Sequence, residues 1–277
     1  MIARDEAAKG WASLAGGVVV AVGWVVLAQH LGDSITIQAI GVAMTLYYAL
    51  LFLPLVALAW GIGRLSRVAV LRVGDAPGWW TLIGALCGAG GLALTIAYAW
   101  LNGGLAPGPA SAGGAGLVLL GAILTLLQVG AEELLFRGWL QPALIDKIGV
   151  PAGIAAGALL FSAFHLTAGV TAPLSFVNLA LGGTWFGLLA WRSGGILAPI
   201  AAHYAWNVIE DSGLGLVPNP GLGPLGAVRD YDLSGSPLWG AGAEGLNASI
   251  GTTIVLIALI LPLLPRRRDL KANPVTA

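Results

Sequence analysis

Long apolar stretches, separated by short polar or glycine-rich connections, run along almost the whole chain. A helix rises about 1.5 Å per residue, so a bilayer core of about 30 Å takes roughly 20 apolar residues to cross. Eight stretches approach or exceed this length, and they predict a bundle of eight transmembrane helices. The stretches are residues 12–29, 37–60, 79–101, 116–140, 151–168, 173–191, 195–210 and 248–264.

Composition supports a membrane protein over a soluble one. Of the 277 residues, 57% are hydrophobic and 9% are charged, with a mean hydropathy of +0.87. Soluble domains carry about 25% charged residues, so we predict an all-α polytopic membrane protein with a single membrane domain over residues 1–277. The net charge of zero gives no indication of a nucleic acid partner. Cys87 is the sole cysteine, which excludes an intrachain disulfide framework.

The positions of Lys and Arg predict how the chain is oriented. They lie before the first stretch and in every second connection after it, whereas the alternate connections carry only Arg229. The positive-inside rule therefore places both termini in the cytoplasm. We expect a multi-pass protein in the lipid bilayer of a prokaryotic plasma membrane. The basic residues on the cytoplasmic side are Arg4, Lys9, Arg64, Arg67, Arg72, Lys147, Arg192, Arg266, Arg267, Arg268 and Lys271.

The fourth stretch contains two adjacent carboxylates and an arginine, Glu132, Glu133 and Arg137. An ionisable residue in a membrane span costs about 2.5 to 3.5 kcal/mol on insertion scales, and therefore indicates a functional site. Glu133 and Arg137 are four residues apart and share a helix face, where they can pair. Glu132 points about 100° away from Glu133. We predict that Arg137 neutralises Glu133 and that Glu132 is available for chemistry. The alternative is a buried structural ion network.

Two other stretches carry histidine at a similar depth. The fifth contains Phe161 and His165, and the seventh contains His203 and Asn207, which share a helix face. A turn halfway between Glu132 and His165 would bring these two side chains to the same height. A buried carboxylate near histidines can act as a general base toward water, and histidine and asparagine can donate hydrogen bonds to a developing oxyanion. Together these residues predict peptide-bond hydrolysis inside the membrane.

The motifs EExxxR, FxxxH and HxxxN, in this order on successive helices, closely resemble the CAAX protease and bacteriocin-processing family of intramembrane endopeptidases. That family includes the type II CAAX prenyl endopeptidase of eukaryotes and the lysostaphin-resistance-type proteins of bacteria. The resemblance covers about residues 115–210, which we take as the catalytic core. It implies an eight-helix bundle with a catalytic cavity inside the membrane.

The resemblance also implies a role for each motif residue. Glu132 would activate water, His165 would orient that water or transfer protons, and His203 with Asn207 would form the oxyanion hole. The expected partner is a membrane-associated peptide or protein substrate. Nothing in the sequence indicates that this substrate is prenylated. The residues expected to support the site are Glu133, Arg137 and Phe161.

Two alternatives remain from the sequence. No cofactor is expected, but Glu132, His165 and His203 could instead bind zinc as in metalloproteases, although the HExxH spacing is absent. The polar cluster could also serve a transporter, or a non-catalytic peptide-binding or immunity protein. Two connections, residues 102–115 and 211–247, are a flexible linker and a long loop with no assigned chemistry.

Overall fold

The computed structural model describes residues 2–108, 114–216 and 223–266, without the side chains of residues 2–9. Parts of the predicted linker and loop, 109–113 and 217–222, lie outside the described residues. So do three of the basic residues used to predict topology, Arg267, Arg268 and Lys271.

Long helices account for most of the described chain. They are α1 (Ile2–Gly32), α2 (Ile40–Leu65), α3 (Pro77–Leu101), α4 (Ala115–Glu133), α5 (Gln141–Ile148), α6 (Val150–Phe164), α7 (Pro173–Ser193), α8 (Leu197–Val208) and α9 (Ile250–Ile260). A π-helical segment, Leu134–Leu140, joins α4 to α5, and another, Ile209–Gly213, extends α8. Short 3-10 turns follow α6 (His165–Ala168) and α9 (Leu261–Leu263), and others lie in the long loop at Gly223–Leu225, Pro237–Trp239 and Gly245–Ala248.

Every predicted apolar stretch is helical, which confirms a polytopic α-helical membrane protein. Six helical rods in the described residues are long and apolar enough to cross a membrane by length and composition, and the rod Ala115–Ile148 counts as one of them. The helix Ile250–Leu263 is apolar but shorter. Eight membrane crossings therefore stay a prediction. The predicted turn between the fourth and fifth helices is confirmed at Gly149, which has a positive φ of 80°.

A small antiparallel sheet, which the sequence did not indicate, joins two of the connections. Strands β1 (Leu105–Pro107) and β2 (Tyr231–Leu233) pair with Leu105 opposite Leu233. Strands of three residues are too short to show a reliable alternating pattern. The sheet attaches the end of α3 to the long loop that precedes α9.

The helices form two packed groups with the polar residues between them. One hydrophobic cluster unites α1, α2, α4 and α6 around residues such as Leu55 and Phe161, and the other unites α3, α7, α8 and α9 around Leu92 and Trp185. Large apolar side chains on the outer surface, among them Leu94, are exposed. Such a surface fits a lipid environment rather than water.

Close contact between α3 and α8 depends on two glycines. A Cβ added at Gly84 or Gly88 would collide with the carbonyl oxygen of Ala198 or Ala202, respectively. Gly84 and Gly88, four residues apart, therefore form a packing face, because only glycine lets the two backbones approach so closely. The contact fixes α8 just before His203.

Candidate active site

The motif formed by Glu132, Glu133 and Arg137 lies where α4 changes into a π-helical segment. Helix α4 ends at Glu133, and Arg137 lies in the π-helical segment Leu134–Leu140. Arg72, from the connection between α2 and α3, donates a hydrogen bond from Nη2 to the carbonyl oxygen of Arg137 at 3.3 Å. π-Helical turns occur frequently at functional sites. The hydrogen bond from Arg72 anchors the backbone of the π-helical segment that follows Glu132 and Glu133.

Glu133 is the centre of a buried ionic network. Its Oε1 atom accepts hydrogen bonds from Arg137 Nη1 at 2.8 Å and from His203 Nδ1 at 2.9 Å. Arg137 also donates from Nη2 to the carbonyl oxygen of Gly183 at 3.0 Å. The predicted pairing of Glu133 with Arg137 is thus confirmed. The sequence did not predict that His203 joins the same carboxylate.

Glu132 has one oxygen engaged and one oxygen available. Its side chain is buried, and Oε1 accepts a hydrogen bond from Gln128 Nε2 at 3.2 Å. Oε2 lies 3.9 Å from His203 Nε2 and has no hydrogen-bond partner within the described part of the chain. Gln128 was missed in the sequence, although a glutamine four residues before a carboxylate on an apolar helix is a detectable signal.

The imidazole of His203 lies between the two carboxylates. Its Nδ1 atom carries the hydrogen bonded to Glu133, because an ionised carboxylate only accepts. Nε2 faces Glu132, and it accepts a hydrogen bond when the ring is neutral or donates one when the ring is doubly protonated. The ring stacks on Phe186, with centroids 4.6 Å apart and planes 18° apart. Stacking and hydrogen bonding together fix its orientation.

His165 and Phe161 lie on the opposite wall. His165 begins the 3-10 turn after α6, and its Nδ1 donates to the carbonyl oxygen of Phe161 at 2.8 Å. This leaves Nε2 as the free nitrogen of a neutral ring. The Phe161 ring packs 4.7 Å from the His165 ring and 4.5 Å from the Arg137 guanidinium. Phe161 therefore contacts both groups, and its supporting role stays a prediction.

A cavity of about 70 Å³ connects several of these side chains. Three of the four predicted catalytic residues line it, and Glu132 does not, but adjoins it through Gln128 and His203. A volume of this size holds a few water molecules. The polar side chains in the lining are those of Gln128, His165, Asn178, His203, Asn207, Glu210, Asn247 and Thr252.

Asn207 at the end of α8 and Glu210 in the π-helical segment that follows also line the cavity. The carboxamide of Asn207 has no hydrogen-bond partner among the described residues, so it is free to bind a ligand oxygen. Glu210, which the sequence did not single out, is 2% exposed and accepts a hydrogen bond at Oε2 from Trp206 Nε1 at 3.1 Å. His203, Asn207 and Glu210 follow one another at intervals of four and three residues, a spacing that repeats on one helix face.

The long loop closes the cavity at one end. Asn178 of α7 donates from Nδ2 to the carbonyl oxygens of Asn247 at 2.7 Å and Ser249 at 2.9 Å. Nearby, Glu244 Oε1 accepts from the backbone N–H groups of Thr171 at 2.7 Å and Ala172 at 2.8 Å, just before α7 begins. Burial raises the pKa of Glu244, but the Ser175 hydroxyl, together with the hydrogen bonds from Thr171 and Ala172, outweighs that effect and leaves the pKa below its usual value.

A much larger cavity, of about 980 Å³, lies among other helix ends. Basic residues in its lining include Arg67, Arg72 and Lys147, from segments predicted to face the cytoplasm. None of the predicted catalytic residues lines it. We therefore place the candidate site in the small cavity, which His165, His203 and Asn207 line and Glu132 adjoins, rather than in the large one.

The zinc alternative does not fit the arrangement of the described side chains. Zinc sites need three or four protein ligands directed at one point. Across residues 2–108, 114–216 and 223–266, no three His, Cys, Asp or Glu side chains are grouped so that they could hold a metal ion. Glu132, His165 and His203 therefore do not form the ligand set that this alternative requires. The expectation of a cofactor-free site stays a prediction.

Comparison with known proteins identifies one similar family. Residues 114–209 match the family described as type II CAAX prenyl endopeptidase Rce1-like. The resemblance to the CAAX protease family is confirmed. The matched segment contains all the motif residues from Glu132 to Asn207 and ends one residue before Glu210. No curated protein and no solved structure matches the chain. The chain is thus an integral multi-pass membrane protein similar to membrane proteases.

Proposed function

We propose that the protein is an intramembrane endopeptidase in which Glu132 activates the attacking water. The observation that carries this proposal is the contrast between two adjacent buried carboxylates. Glu133 is engaged by Arg137 and His203, whereas Glu132 has one oxygen held by Gln128 and one without a partner. A carboxylate that is held in place but not neutralised is suited to take a proton from water.

The proposed reaction begins with a water molecule between Glu132 Oε2 and the Nε2 atoms of the two histidines. Glu132 takes one proton from this water as its oxygen attacks the carbonyl carbon of the substrate peptide bond. The oxyanion that forms accepts a hydrogen bond from the free carboxamide of Asn207. His203 adds a second hydrogen bond from Nε2 when its ring is doubly protonated, while Nδ1 remains bound to Glu133.

Collapse of the tetrahedral intermediate then completes the hydrolysis. Glu132 returns its proton to the leaving nitrogen, either directly or through His165, and the carbon–nitrogen bond breaks. The products are a carboxylic acid and an amine, so neither oxidant nor metal enters the balance.

The membrane topology and the cellular location are part of the same proposal. Eight membrane crossings with both termini in the cytoplasm would place the motif helices across the bilayer of a prokaryotic plasma membrane. The small polar cavity would then serve as an intramembrane catalytic cavity. Its substrate would be a membrane-associated peptide or protein whose cleavage site enters the bundle.

A comparison of three forms of the protein tests the proposal. Membrane peptides are compared by mass spectrometry between cells with wild-type protein and cells with Glu132→Gln, and peptides that change are then tested with purified protein in vesicles. Asp232→Asn, an exposed carboxylate on β2, is the matched control for the loss of one charge. We expect cleavage to fall by about a hundredfold or more in Glu132→Gln, as for loss of a general base, and to persist in Asp232→Asn.

The result that contradicts the proposal is equally specific. If Glu132→Gln is folded by size-exclusion chromatography and cleaves as well as wild type, Glu132 is not the base. If Glu132→Gln retains its full biological effect while no cleavage is found in any form, the cluster binds a peptide rather than hydrolysing it.

A further inference from the structure

Glu210 is a buried carboxylate in the cavity that the proposed reaction does not use. It lies one turn beyond Asn207, in the π-helical segment Ile209–Gly213 that extends α8. Its side chain is 2% exposed and lines the same cavity as His203 and Asn207. Trp206 holds Oε2 at 3.1 Å, whereas Oε1 is buried with no hydrogen-bond partner in the described residues.

The described surroundings of Glu210 do not supply a counter-charge. Within residues 2–108, 114–216 and 223–266, no lysine or arginine lines the cavity, and the adjacent residue Asp211 is a second buried carboxylate. Leaving one partner of a charge pair buried alone is costly, so buried carboxylates are normally matched by a cation or by donors. A positively charged group of a ligand that enters the cavity would supply the missing partner of Glu210 Oε1.

The geometry favours an ammonium group over a guanidinium group. Arginine binds carboxylates best through two parallel hydrogen bonds, which need both oxygens. Here Trp206 occupies one oxygen of Glu210, so a single point of attachment remains. Lysine presents a compact ammonium on a flexible stem, which suits one free oxygen in a cavity of about 70 Å³.

We propose that Glu210 selects substrates with a lysine side chain next to the peptide bond that is cleaved. Asn207 and Glu210 are three residues apart, so they lie about 4.5 Å apart along the helix axis. A substrate carbonyl at Asn207 thus places a neighbouring side chain within reach of Glu210. This inference rests on the proposed endopeptidase function, because the oxyanion role proposed for Asn207 sets the position of the scissile bond.

The test uses a set of hydrophobic peptides of about 20 residues, long enough to span a bilayer, inserted in vesicles with the purified full-length protein. Each peptide carries one lysine, arginine, norleucine or glutamate, moved stepwise along its central segment. Cleavage is measured with wild type, with Glu210→Gln and with Asp211→Asn, which removes the adjacent carboxylate that does not line the cavity. Binding of the same peptides to Glu132→Gln and to Glu132→Gln/Glu210→Gln is measured in parallel.

For wild type and Asp211→Asn, we expect the lysine peptide at its best position to be cleaved at least about tenfold faster than the norleucine peptide, since loss of one partner of a buried charge pair weakens binding. The arginine peptide should fall between them. Glu210→Gln should cleave lysine and norleucine peptides at similar rates. In the binding measurement, the preference for lysine should be present in Glu132→Gln and absent from the double variant.

The outcomes separate this inference from the proposed function. Cleavage without a preference for lysine, or a preference that survives in folded Glu210→Gln, overturns the role of Glu210 and leaves the endopeptidase intact. Binding that prefers lysine and depends on Glu210, without cleavage by wild type, overturns the endopeptidase and retains Glu210 as a cation-binding residue. Binding without that preference overturns the role of Glu210 even if no peptide is cleaved.

Discussion

His203 Nδ1 lies 2.9 Å from Glu133 Oε1, so the imidazole of α8 is anchored to the carboxylate beside the proposed base rather than to the base itself. The same Glu133 oxygen also accepts from Arg137. Glu133 therefore links Arg137, in the rod Ala115–Ile148, to His203 of α8. The two adjacent glutamates therefore differ in their contacts. Glu133 positions the His203 ring, and Glu132 faces that ring with Oε2, which has no hydrogen-bond partner among the described residues.

Arg137→Met should destabilise the protein strongly. The change leaves Glu133 buried with His203 as its remaining polar partner, and removal of one member of a buried pair typically costs about 3 to 5 kcal/mol. Thermal unfolding of the purified protein in detergent would measure the loss as a lower midpoint. Arg137→Met/Glu133→Gln, which removes the uncompensated charge, should recover part of the loss. An unchanged midpoint for Arg137→Met would show that the network does not stabilise the fold.

Gly88→Ala should reduce both stability and cleavage, whereas Gly90→Ala should alter neither. An added methyl group at Gly88 collides with the backbone of Ala202, which directly precedes His203, while at Gly90 it meets open space. Overpacking of this kind costs about 1 to 3 kcal/mol. Unfolding midpoints and cleavage rates of the two variants, measured side by side, would check this prediction. Equal behaviour of the two variants would contradict the close approach of α3 and α8.

Acid should release the long loop from the start of α7. The Glu244 carboxylate accepts two backbone hydrogen bonds there, and its pKa lies below its usual value. Its stabilising contribution is therefore complete above pH 4.5 and disappears as the pH falls through the lowered pKa. Hydrogen exchange of Thr171 and Ala172, corrected for intrinsic rates, should show protection at pH 7 that is lost near the acid limit.

Glu244→Gln provides the comparison for this acid effect. With no carboxylate to titrate, the variant should show weaker protection of Thr171 and Ala172 at pH 7 and little further change on acidification. Protection in wild type that is independent of pH would rule out Glu244 as the attachment.

Cysteine labelling would test the proposed orientation. With Cys87 replaced by serine, a single cysteine at Asp75 should be protected from a membrane-impermeant thiol reagent in intact cells, because its connection is predicted to be cytoplasmic. A single cysteine at Ser234 should be labelled. Both positions are exposed in the structure, so accessibility reports the side of the membrane. The reverse pattern would invert the topology.

The sequence was informative where a property depends on local spacing. Helix length and hydropathy predicted the helical rods, and a separation of four residues predicted the pairing of Glu133 with Arg137. The turn expected halfway between Glu132 and His165 lies at Gly149. Each of these follows from helical geometry within one or two neighbouring segments.

Contacts between distant helices could not be predicted in the same way. His203 and Glu133 are 70 residues apart, and their hydrogen bond depends on how far α8 is rotated about its axis. Glu210 was overlooked because it lies at the end of an apolar stretch, where a carboxylate usually marks the start of a loop. Only the packed structure reveals that its side chain is turned inward.

Because of the π-helical segment 134–140, the rod Ala115–Ile148 contains one residue more than a regular α-helix of the same path would need. A π-turn closes over five residues where an α-turn closes over four, so deletion of one residue here could restore a regular helix without moving either end of the rod. The position of that deletion matters: loss of one residue between Glu133 and Arg137 would shorten their separation from four residues to three and disturb the ion pair, whereas loss of one after Arg137 would leave the pair unchanged. The length of the chain between Glu133 and Arg137 therefore constrains the ion pair, and through Glu133 the position of the His203 ring, even though the rod itself tolerates one residue fewer.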